Sequence, residues 1–253
     1  MEQGIQVNEE LLAGSPYFDS QERRAALREV FGFDRRRVLL GVGALAEVAV
    51  ECERLGAKRV LLVRDPAIEA VATPVVEVLT TGGIDIVATF TEIVPNPTIA
   101  SVDALAAAVK RVDCDAVLAI GGGSTMDSAK VGCAVATCGG SSADYFGFDR
   151  FPKPADWPLI CLPTTAGTGA EASRVSVIVA EGGKQAIYSD HIQPRGAIVD
   201  PRLSAGMPPG LTATTGLDAL GHALECTASK KSDALGDAVA RASMAAGMPH
   251  LLR

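Results

Sequence analysis

Short apolar runs that alternate with helical segments constrain the fold of this chain more than any other feature. The helical segments, in which apolar residues recur with a period near 3.6, are residues 44–55, 67–81, 99–109 and 125–136. The apolar runs are residues 37–40, 59–63, 84–90, 116–120, 159–162 and 197–199. Runs as continuously apolar as 116–120 are typical of strands buried on both faces. The order predicts an α/β fold with a mostly parallel sheet and helices on both faces.

The alternation stops after Asp200 and Pro201, and this break divides the chain. Before it, residues 175–180 and 185–188 flank Glu181-Gly182-Gly183 and predict a hairpin. Beyond it, residues 211–227 and 234–248 predict helices only. We therefore expect three parts: an N-terminal extension (1–34) with one short helix at 21–31, an α/β domain (35–205) and the beginning of an all-helical domain (206–253).

The composition excludes several classes of protein. Hydrophobic residues make up 48% of the 253 residues, which excludes disorder and a collagen-like chain. The formal net charge of −7 argues against nucleic acid as a partner. The sequence has no apolar run long enough to span a membrane, and residues 1–10 do not resemble a signal peptide, so we expect a cytoplasmic protein without a membrane partner. The six cysteines form no CxxC pair, which favours reduced thiols.

A glycine-rich turn follows the run at residues 116–120. Gly121, Gly122 and Gly123 precede Ser124 and Asp127, and a helix begins there. Three glycines let a bulky anion approach the backbone, and the N-terminus of a helix attracts the negative charge of a pyrophosphate. Ser124 is either the N-cap of this helix or a phosphate ligand. An ordinary tight strand-to-helix turn is the alternative, but three consecutive glycines are more than such a turn needs. The spacing is not GxGxxG, so it does not establish an ordinary Rossmann domain.

Two other loops follow predicted strands. The loop after residues 159–162 contains Thr164, Thr165 and Thr168 among small residues, which suits a ligand crevice at the carboxyl end of a sheet. Asp65 follows the run 59–63. An acid at that place binds ribose hydroxyls and repels a 2′-phosphate, which favours NAD over NADP, or else it caps the next helix with Pro66 in the first position.

Asp218 and His222 are four residues apart in the helix predicted for residues 211–227. This spacing places both side chains on one helix face, where they are able to share a metal ion or to hydrogen-bond to each other. Two ligands do not make a firm site, since a catalytic divalent ion usually has three or four protein ligands. His191 and His250 show no evident reason to join them.

Taken together, these motifs resemble the iron-containing (group III) alcohol dehydrogenase family. The most specific stretch runs from Ala197-Ile198-Val199-Asp200-Pro201 to the segment Gly216–Glu225 that holds Asp218 and His222. The glycine turn with Asp127 resembles the family's pyrophosphate turn, and the threonine loop resembles its adenine-side loop. Pro95-Asn96-Pro97-Thr98 and Asp65 also lie at matching places, so the resemblance covers residues 37–253.

The resemblance implies a two-domain fold that binds NAD, or NADP, between an NAD(P)-binding α/β domain and a helical metal and substrate domain. It implies reversible hydride transfer between a small alcohol and an aldehyde or ketone whose oxygen is polarised by Fe2+, or by Zn2+. Asp218 and His222 match two of the family's metal ligands. The candidate cofactor-binding residues are Asp65, Asn96, Gly121, Gly122, Gly123, Ser124, Asp127, Thr164, Thr165, Thr168 and Lys184.

The sequence departs from the family pattern in its histidines. The family has two further histidine ligands on later helices, whereas this chain has three histidines in all. We therefore expect a helical domain truncated before those ligands. Two alternatives to the dehydrogenase remain: a non-catalytic form for dinucleotide binding or assembly, and a metal-free enzyme like maleylacetate reductase. The presence of both Asp218 and His222 argues against the second alternative.

The two final helices carry apolar residues without evident partners. We expect part of this set to be exposed: Ala219, Leu220, Ala223, Leu224, Val239, Ala242 and Met244. Exposed apolar patches favour association, so a homo-oligomer is the expected state. Tyr145, Phe146 and Phe148 are expected to line one wall of the substrate cleft.

Overall fold

The computed structural model describes residues 36–251. The predicted extension, with its short helix at 21–31, lies outside the described residues. The strands are β1 Arg37–Leu40, β2 Arg59–Arg64, β3 Asp85–Phe90, β4 Ala116–Gly121, β5 Gly147–Phe148, β6 Leu159–Pro163, β7 Val175–Ala180, β8 Gly183–Tyr188 and β9 Gly196–Val199. The helices are α1 Val48–Arg54, α2 Glu69–Thr81, α3 Ile99–Arg111, α4 Gly123–Cys138, α5 Pro209–Ala228 and α6 Ala234–Leu251.

Six strands form one sheet in the order β1-β9-β6-β4-β2-β3, and every neighbouring pair is parallel. All residues of β4 and β6 are buried, as continuous apolar runs require. Helices α1 and α2 cover one face of the sheet, and α3 and α4 cover the other. The predicted α/β fold with a parallel sheet and helices on both faces is confirmed.

The strand order places a switch point between β2 and β4. From β2 the chain passes through α2 on one face of the sheet, whereas from β4 it passes through α4 on the other. Helices that leave neighbouring strands on opposite faces open a crevice at the carboxyl ends of those strands, where ligands of open α/β sheets bind. The glycine turn, which follows β4, lies at this crevice.

A smaller sheet lies beside the main one and contains the predicted hairpin. Strands β7 and β8 pair antiparallel from Val175–Tyr188 to Ala180–Gly183, and the short strand β5 adds to β8. The Val179 N–H donates to the carbonyl of Pro97 at 2.7 Å, which ties the hairpin to the segment before α3.

Helices α5 and α6 follow the last strand and pack against each other. A Cβ on Gly216 of α5 would lie 2.7 Å from a methyl group of Leu251, and Gly236 of α6 lies beside Cys226. Within the described residues, no helix is both long and apolar enough to cross a membrane. All six cysteines are free, and four of them are buried.

Candidate functional site

The turn between β4 and α4 is built so that only glycine fits at its start. A Cβ on Gly121 would lie 2.3 Å from Oγ1 of Thr125, a clash that excludes every side chain. Helix α4 begins at Gly123 with Gly122 as its N-cap, and no side chain caps it. The prediction of Ser124 as the N-cap is therefore wrong, since Ser124 lies inside the first turn. The uncapped N-terminus leaves backbone N–H groups free to bind an anion.

The threonine loop after β6 covers this turn. The Thr164 N–H donates to the Gly121 carbonyl at 2.9 Å, which extends the parallel pairing of β4 and β6. A Cβ on Gly122 would lie 3.2 Å from Cγ2 of Thr165, and a Cβ on Gly123 would lie 2.8 Å from Cγ2 of Thr168. The glycine turn and the threonine loop therefore approach so closely that the turn needs glycine.

Asn96 lies at the other side of the glycine turn. Its backbone adopts the left-handed conformation with φ of 54°, which asparagine tolerates better than most residues. Its backbone N–H donates to Oγ of Ser124 at 3.1 Å. The segment before α3 is thereby joined to the first turn of α4.

These elements enclose a cleft of about 740 Å3. Its walls are the glycine turn, the threonine loop, the hairpin β7–β8 and helix α5. Predicted site residues that line it are Asn96, Gly123, Ser124, Asp127, Thr168, Lys184, Asp218 and His222. Gly121, Gly122, Thr164 and Thr165 lie beneath it, in the contacts between turn and loop.

Asp127 is the most buried acid in the cleft wall. Its side chain is 15% exposed, Oδ2 accepts from the Val177 N–H at 3.0 Å, and Oδ1 lies 3.3 Å from Nζ of Lys130. Burial raises the pKa of Asp127, and the charge of Lys130 opposes that rise. The carboxyl group is held at a fixed place by groups from α4 and β7.

Asp218 and His222 lie on the face of α5 that lines the cleft. Oδ2 of Asp218 is 3.6 Å from Nε2 of His222, and both side chains are about half exposed. Helix α5 lies close to the threonine loop at Gly167, where a Cβ would lie 2.6 Å from the carbonyl oxygen of Thr215. Among residues 36–251, no group of three or more His, Cys, Asp and Glu side chains is placed to hold a metal ion.

Asp65 is not among the residues that line the cleft. It follows β2 and caps the short 3-10 turn Pro66–Ile68, with Oδ1 accepting from the Ala67 N–H at 2.8 Å. The capping role that the sequence allowed is therefore present. The other carboxylate oxygen has no part in this cap, and a contact with ribose stays a prediction.

A second cavity of about 390 Å3 is lined by residues 154–159 and 190–195. His191 lines this cavity, and His250 is exposed near the end of α6. Neither histidine lines the cleft beside Asp218, as the sequence analysis expected.

Residues of the cleft lining that were not proposed as site residues from the sequence include Ser173, Val177 and Tyr188. Lys130, the ion-pair partner of Asp127, was not proposed either. Val177 and Tyr188 lie in hairpin strands, where alternating side chains give no sign of which face meets a ligand. Lys130 carries a usable signal, because it is the one charged residue in the segment from Ser128 to Cys138. A lysine in a buried helix needs partners, and those partners point to a structured polar site.

Comparisons with known sequences and structures point to one protein family. The family model of the iron-containing alcohol dehydrogenases matches residues 35–201. Alcohol dehydrogenase 4 of Schizosaccharomyces pombe is 40% identical over 205 residues, which are 80% of this chain and 48% of that protein. The aligned part thus spans about half of that relative's length.

Solved structures of dehydrogenases and reductases are also similar to this chain. A 1,3-propanediol oxidoreductase has a TM-score of 0.76 at 34% identity, covering 83% of this chain and 56% of its own. The sulfoacetaldehyde reductase of Bifidobacterium kashiwanohense, in complex with NAD+, has a TM-score of 0.74 at 33% identity with the same coverages. These structures share the parallel sheet and the helices that follow it.

Proposed function

Because the chain belongs to the iron-containing alcohol dehydrogenase family, we propose that it binds a nicotinamide dinucleotide for hydride transfer between a small alcohol and an aldehyde or ketone. The observation that carries this proposal is the uncapped N-terminus of α4, which opens from a turn of three glycines into the cleft at the switch point of the sheet. The NAD+ complex of a protein 33% identical to this chain supports the choice of ligand.

The residues of the cleft fit a dinucleotide. The backbone N–H groups of Gly123 and Ser124 would bind the pyrophosphate, for which the glycines leave space against Thr165 and Thr168. Lys184 of β8 adds a positive charge to the opposite wall. A bound nicotinamide dinucleotide supplies the hydride acceptor or donor of the reaction. The further proposed contacts are Asn96, Gly121, Gly122, Asp127 and Thr164.

Asp65 is proposed to favour NAD over NADP. It lies at the end of β2, whose neighbour β4 ends in the glycine turn. A carboxylate at this place repels a 2′-phosphate and accepts from ribose hydroxyls. Its Oδ1 accepts from Ala67, and the other oxygen takes no part in that bond and is available for the contact.

The residues described do not complete a metal site. A catalytic Fe2+ or Zn2+ needs at least three protein ligands, and the carboxylate–imidazole pair of Asp218 and His222 supplies two. We propose this pair as half of the family's ligand set. The chemistry attributed to residues 36–251 is therefore the binding and orientation of cofactor beside that pair. A second candidate function, dinucleotide binding without turnover, is favoured by the same incomplete donor set.

Titration of the protein with NADH, followed by the fluorescence of the cofactor, tests the proposal. We expect saturable binding by the wild type and a Kd raised about tenfold or more by Gly122→Ala, because an affinity change of that size needs only ~1.4 kcal/mol. The added methyl group occupies space between turn and loop, 3.2 Å from Thr165. The matched control is Gly206→Ala, where a Cβ meets nothing within 4 Å.

Two results separate the candidates. Absence of saturable binding by the wild type, or equal affinity of the three proteins, would overturn the proposal of a dinucleotide site at this turn. Binding without reduction of NAD+ across a series of primary alcohols and diols supports the binding-only function. Reduction of NAD+ with any of them supports the oxidoreductase.

A further inference from the structure

The second cavity lies at the opposite edge of the sheet from the dinucleotide cleft. Pro158 and Leu159 lie where β6 begins, and Arg195 directly precedes β9. The glycine turn and the threonine loop instead follow β4 and β6, at the carboxyl ends of these strands. Because the strands are parallel, the cavity is at the amino edge of the sheet. No residue in the described part of the chain lines both the cavity and the cleft.

Buried apolar groups form part of the wall of the second cavity. Cys133 of α4, Leu159 and Ile192 are buried there in one core cluster. Trp157 packs against the same cluster, and its indole N–H donates to the carbonyl oxygen of Cys114 at 3.1 Å, which fixes the ring. The volume of about 390 Å3 is near the lower end of the range for ligand pockets, so the cavity suits a small molecule.

The two carboxylates of this lining are paired with cations that lie outside it. A carboxylate oxygen of Asp156 lies 3.3 Å from Nζ of Lys153. Oδ1 of Asp190 lies 3.1 Å from a guanidinium nitrogen of Arg174 and accepts from Nε2 of Gln193 at 3.2 Å. Neither acid is therefore left to balance a cation of the lining.

Two cations of the lining are already engaged elsewhere. Nζ of Lys130 lies 3.3 Å from Oδ1 of Asp127, which belongs to the dinucleotide cleft. The guanidinium of Arg36 donates to the carbonyl oxygen of Ala172 at 2.6 Å. The charge of the second cavity is therefore argued without either of them.

The guanidinium of Arg195 is the cation that remains. It is exposed, and within residues 36–251 its side chain has neither a carboxylate partner nor a hydrogen bond. Its backbone N–H donates to the carbonyl oxygen of Leu159 at 2.8 Å, which holds the residue at the mouth of β6. His191 adds an imidazole to the same lining. A guanidinium beside an apolar cavity favours an anion, and a carboxylate matches its planar fork.

We propose that the second cavity binds a small carboxylic acid with an apolar body, at a site separate from the dinucleotide cleft. The carboxylate pairs with Arg195, and the apolar body lies against Trp157 and the buried groups beside it. An exposed ion pair alone contributes little to affinity, and burial of apolar surface adds the rest. The ligand class is thus defined by both parts of the molecule.

The single tryptophan of the chain lines this cavity, so its fluorescence reports binding without a label. The intact protein is titrated with cyclohexanecarboxylate, and a saturable change with a Kd on the order of 1 mM or lower is expected for a ligand of this size. Acetate keeps the charge without the apolar body, and cyclohexanecarboxamide keeps the body without the charge. Each should bind about fivefold more weakly or less well still.

Arg195→Gln tests the ion pair at an exposed position, where the core is not disturbed. We expect it to raise the Kd for cyclohexanecarboxylate about fivefold or more and to leave the Kd for the carboxamide unchanged. The matched control is Arg241→Gln, which removes the same charge from α6, outside both linings, and should change neither value. Saturating NAD+ should leave the Kd for cyclohexanecarboxylate as it is.

Four results would overturn the inference. Equal affinities for the carboxylate and the carboxamide would remove the role of charge, and equal Kd values in Arg195→Gln and Arg241→Gln would remove that of Arg195. Competition by NAD+ would place the acid in the dinucleotide cleft, and equal binding of acetate or inorganic phosphate would leave only a non-specific anion site.

Amide hydrogen exchange locates the bound acid independently of fluorescence. Cyclohexanecarboxylate should slow exchange in residues 154–159 and 190–195 and leave the start of α4 as it was. Absence of both this protection and the change in fluorescence also overturns the inference. The dehydrogenase proposal is unaffected by either outcome, since it is tested by the NADH titration at the glycine turn.

Discussion

Helices α4 and α5 line the same cleft, yet they differ sharply in what they bury. Helix α4 buries eleven of its 16 residues between the sheet, α3 and the threonine loop. Helix α5 buries Ala223 alone among 20 residues in the described part of the chain, and α6 buries Ala240 alone among 18. Leu217, Leu224 and Val239 are more than half exposed. The sheet region therefore has its own core, whereas the helical pair contributes little to one.

This difference assigns separate roles to the two regions. The sheet region holds the glycine turn and the threonine loop in close contact and buries Lys130. The helical pair brings Asp218 and His222 to the cleft on a surface that is mostly open. Regions with few buried apolar contacts open at lower free energy than a packed core.

The largest expected effect compares one leucine from each region. Leu118 of β4 is fully buried, and Leu118→Ala should lower the free energy of unfolding by about 2–5 kcal/mol through lost burial and a cavity. Leu224 of α5 is 58% exposed, and Leu224→Ala should change the free energy by less than about 0.5 kcal/mol. Urea unfolding measures both. Equal losses would show that α5 is packed as tightly as the sheet.

A second expectation concerns metal binding by Asp218 and His222. Because Asp218 and His222 are two donors where a catalytic site needs three or more, the purified protein should retain well under one Fe2+ or Zn2+ per chain after dialysis. Asp218→Ala should abolish what remains, whereas His250→Ala, on the exposed end of α6, should not. Elemental analysis gives the ratio. One tightly held ion per chain that survives Asp218→Ala contradicts the assignment of this pair.

A smaller effect is expected on association. The predicted exposure is borne out for Leu224, Val239, Ala219 and Ala242, while Leu220 and Met244 are half-buried and Ala223 is buried. The mean mass in light scattering should rise with concentration, and Leu217→Ser combined with Leu224→Ser should reduce that rise. Leu40→Ser, on the exposed edge strand β1, is the comparison variant. A monomer at all concentrations, or a larger effect of Leu40→Ser, argues against the helical pair as the associating surface.

The smallest expected effect is the loss, in acid, of the stability that Asp115 contributes beside the sheet. Hydrogen bonds from the Arg59 guanidinium, followed by those from the backbone N–H groups of Lys58 and Arg59, lower the pKa of Asp115 to about 2. A depressed pKa stabilises the fold above the ordinary value of 3.8, and this contribution is lost as the pH falls towards 2. Asp115→Asn should therefore cost stability at pH 6 and progressively less in acid. Urea unfolding at several pH values that gave the same cost throughout would refute this.

The sequence predicted the centre of the sheet well because strands β2, β4 and β6 are buried on both faces. Continuous apolar runs such as β4 have no alternative to a central position, and their bounds agree with the structure within one or two residues. The start of α4 was placed at Thr125, two residues late, because glycine is a poor helix former and Gly122 serves instead as the N-cap. Helix α3 extends to Arg111, where Lys110 and Arg111 favour the C-terminal end of a helix.

The sequence identified the motifs of the site, but it did not show how these motifs contact one another in three dimensions. Asn96, Ser124 and Thr168 could be proposed one by one, yet their approach depends on the backbone bond from Asn96 to Ser124 and on loop packing against glycine. The acceptors of the Lys130 ammonium group lie some 40 residues further along the chain, at Ala170 and Val175, which no local pattern reveals. Asp65 could be given two roles, and its cap to Ala67 shows one of them.

The most direct test of the account is the footprint of NADH in amide hydrogen exchange. We expect added NADH to slow exchange at the start of α4 and in residues 164–170, with little change in residues 154–159, which line the second cavity. Helix α6, which lies outside the cleft lining, should exchange as before. Protection confined to residues 154–159 and 190–195, or no protection at the glycine turn at saturating NADH, would contradict the central claim that this turn and its threonine loop form the dinucleotide site.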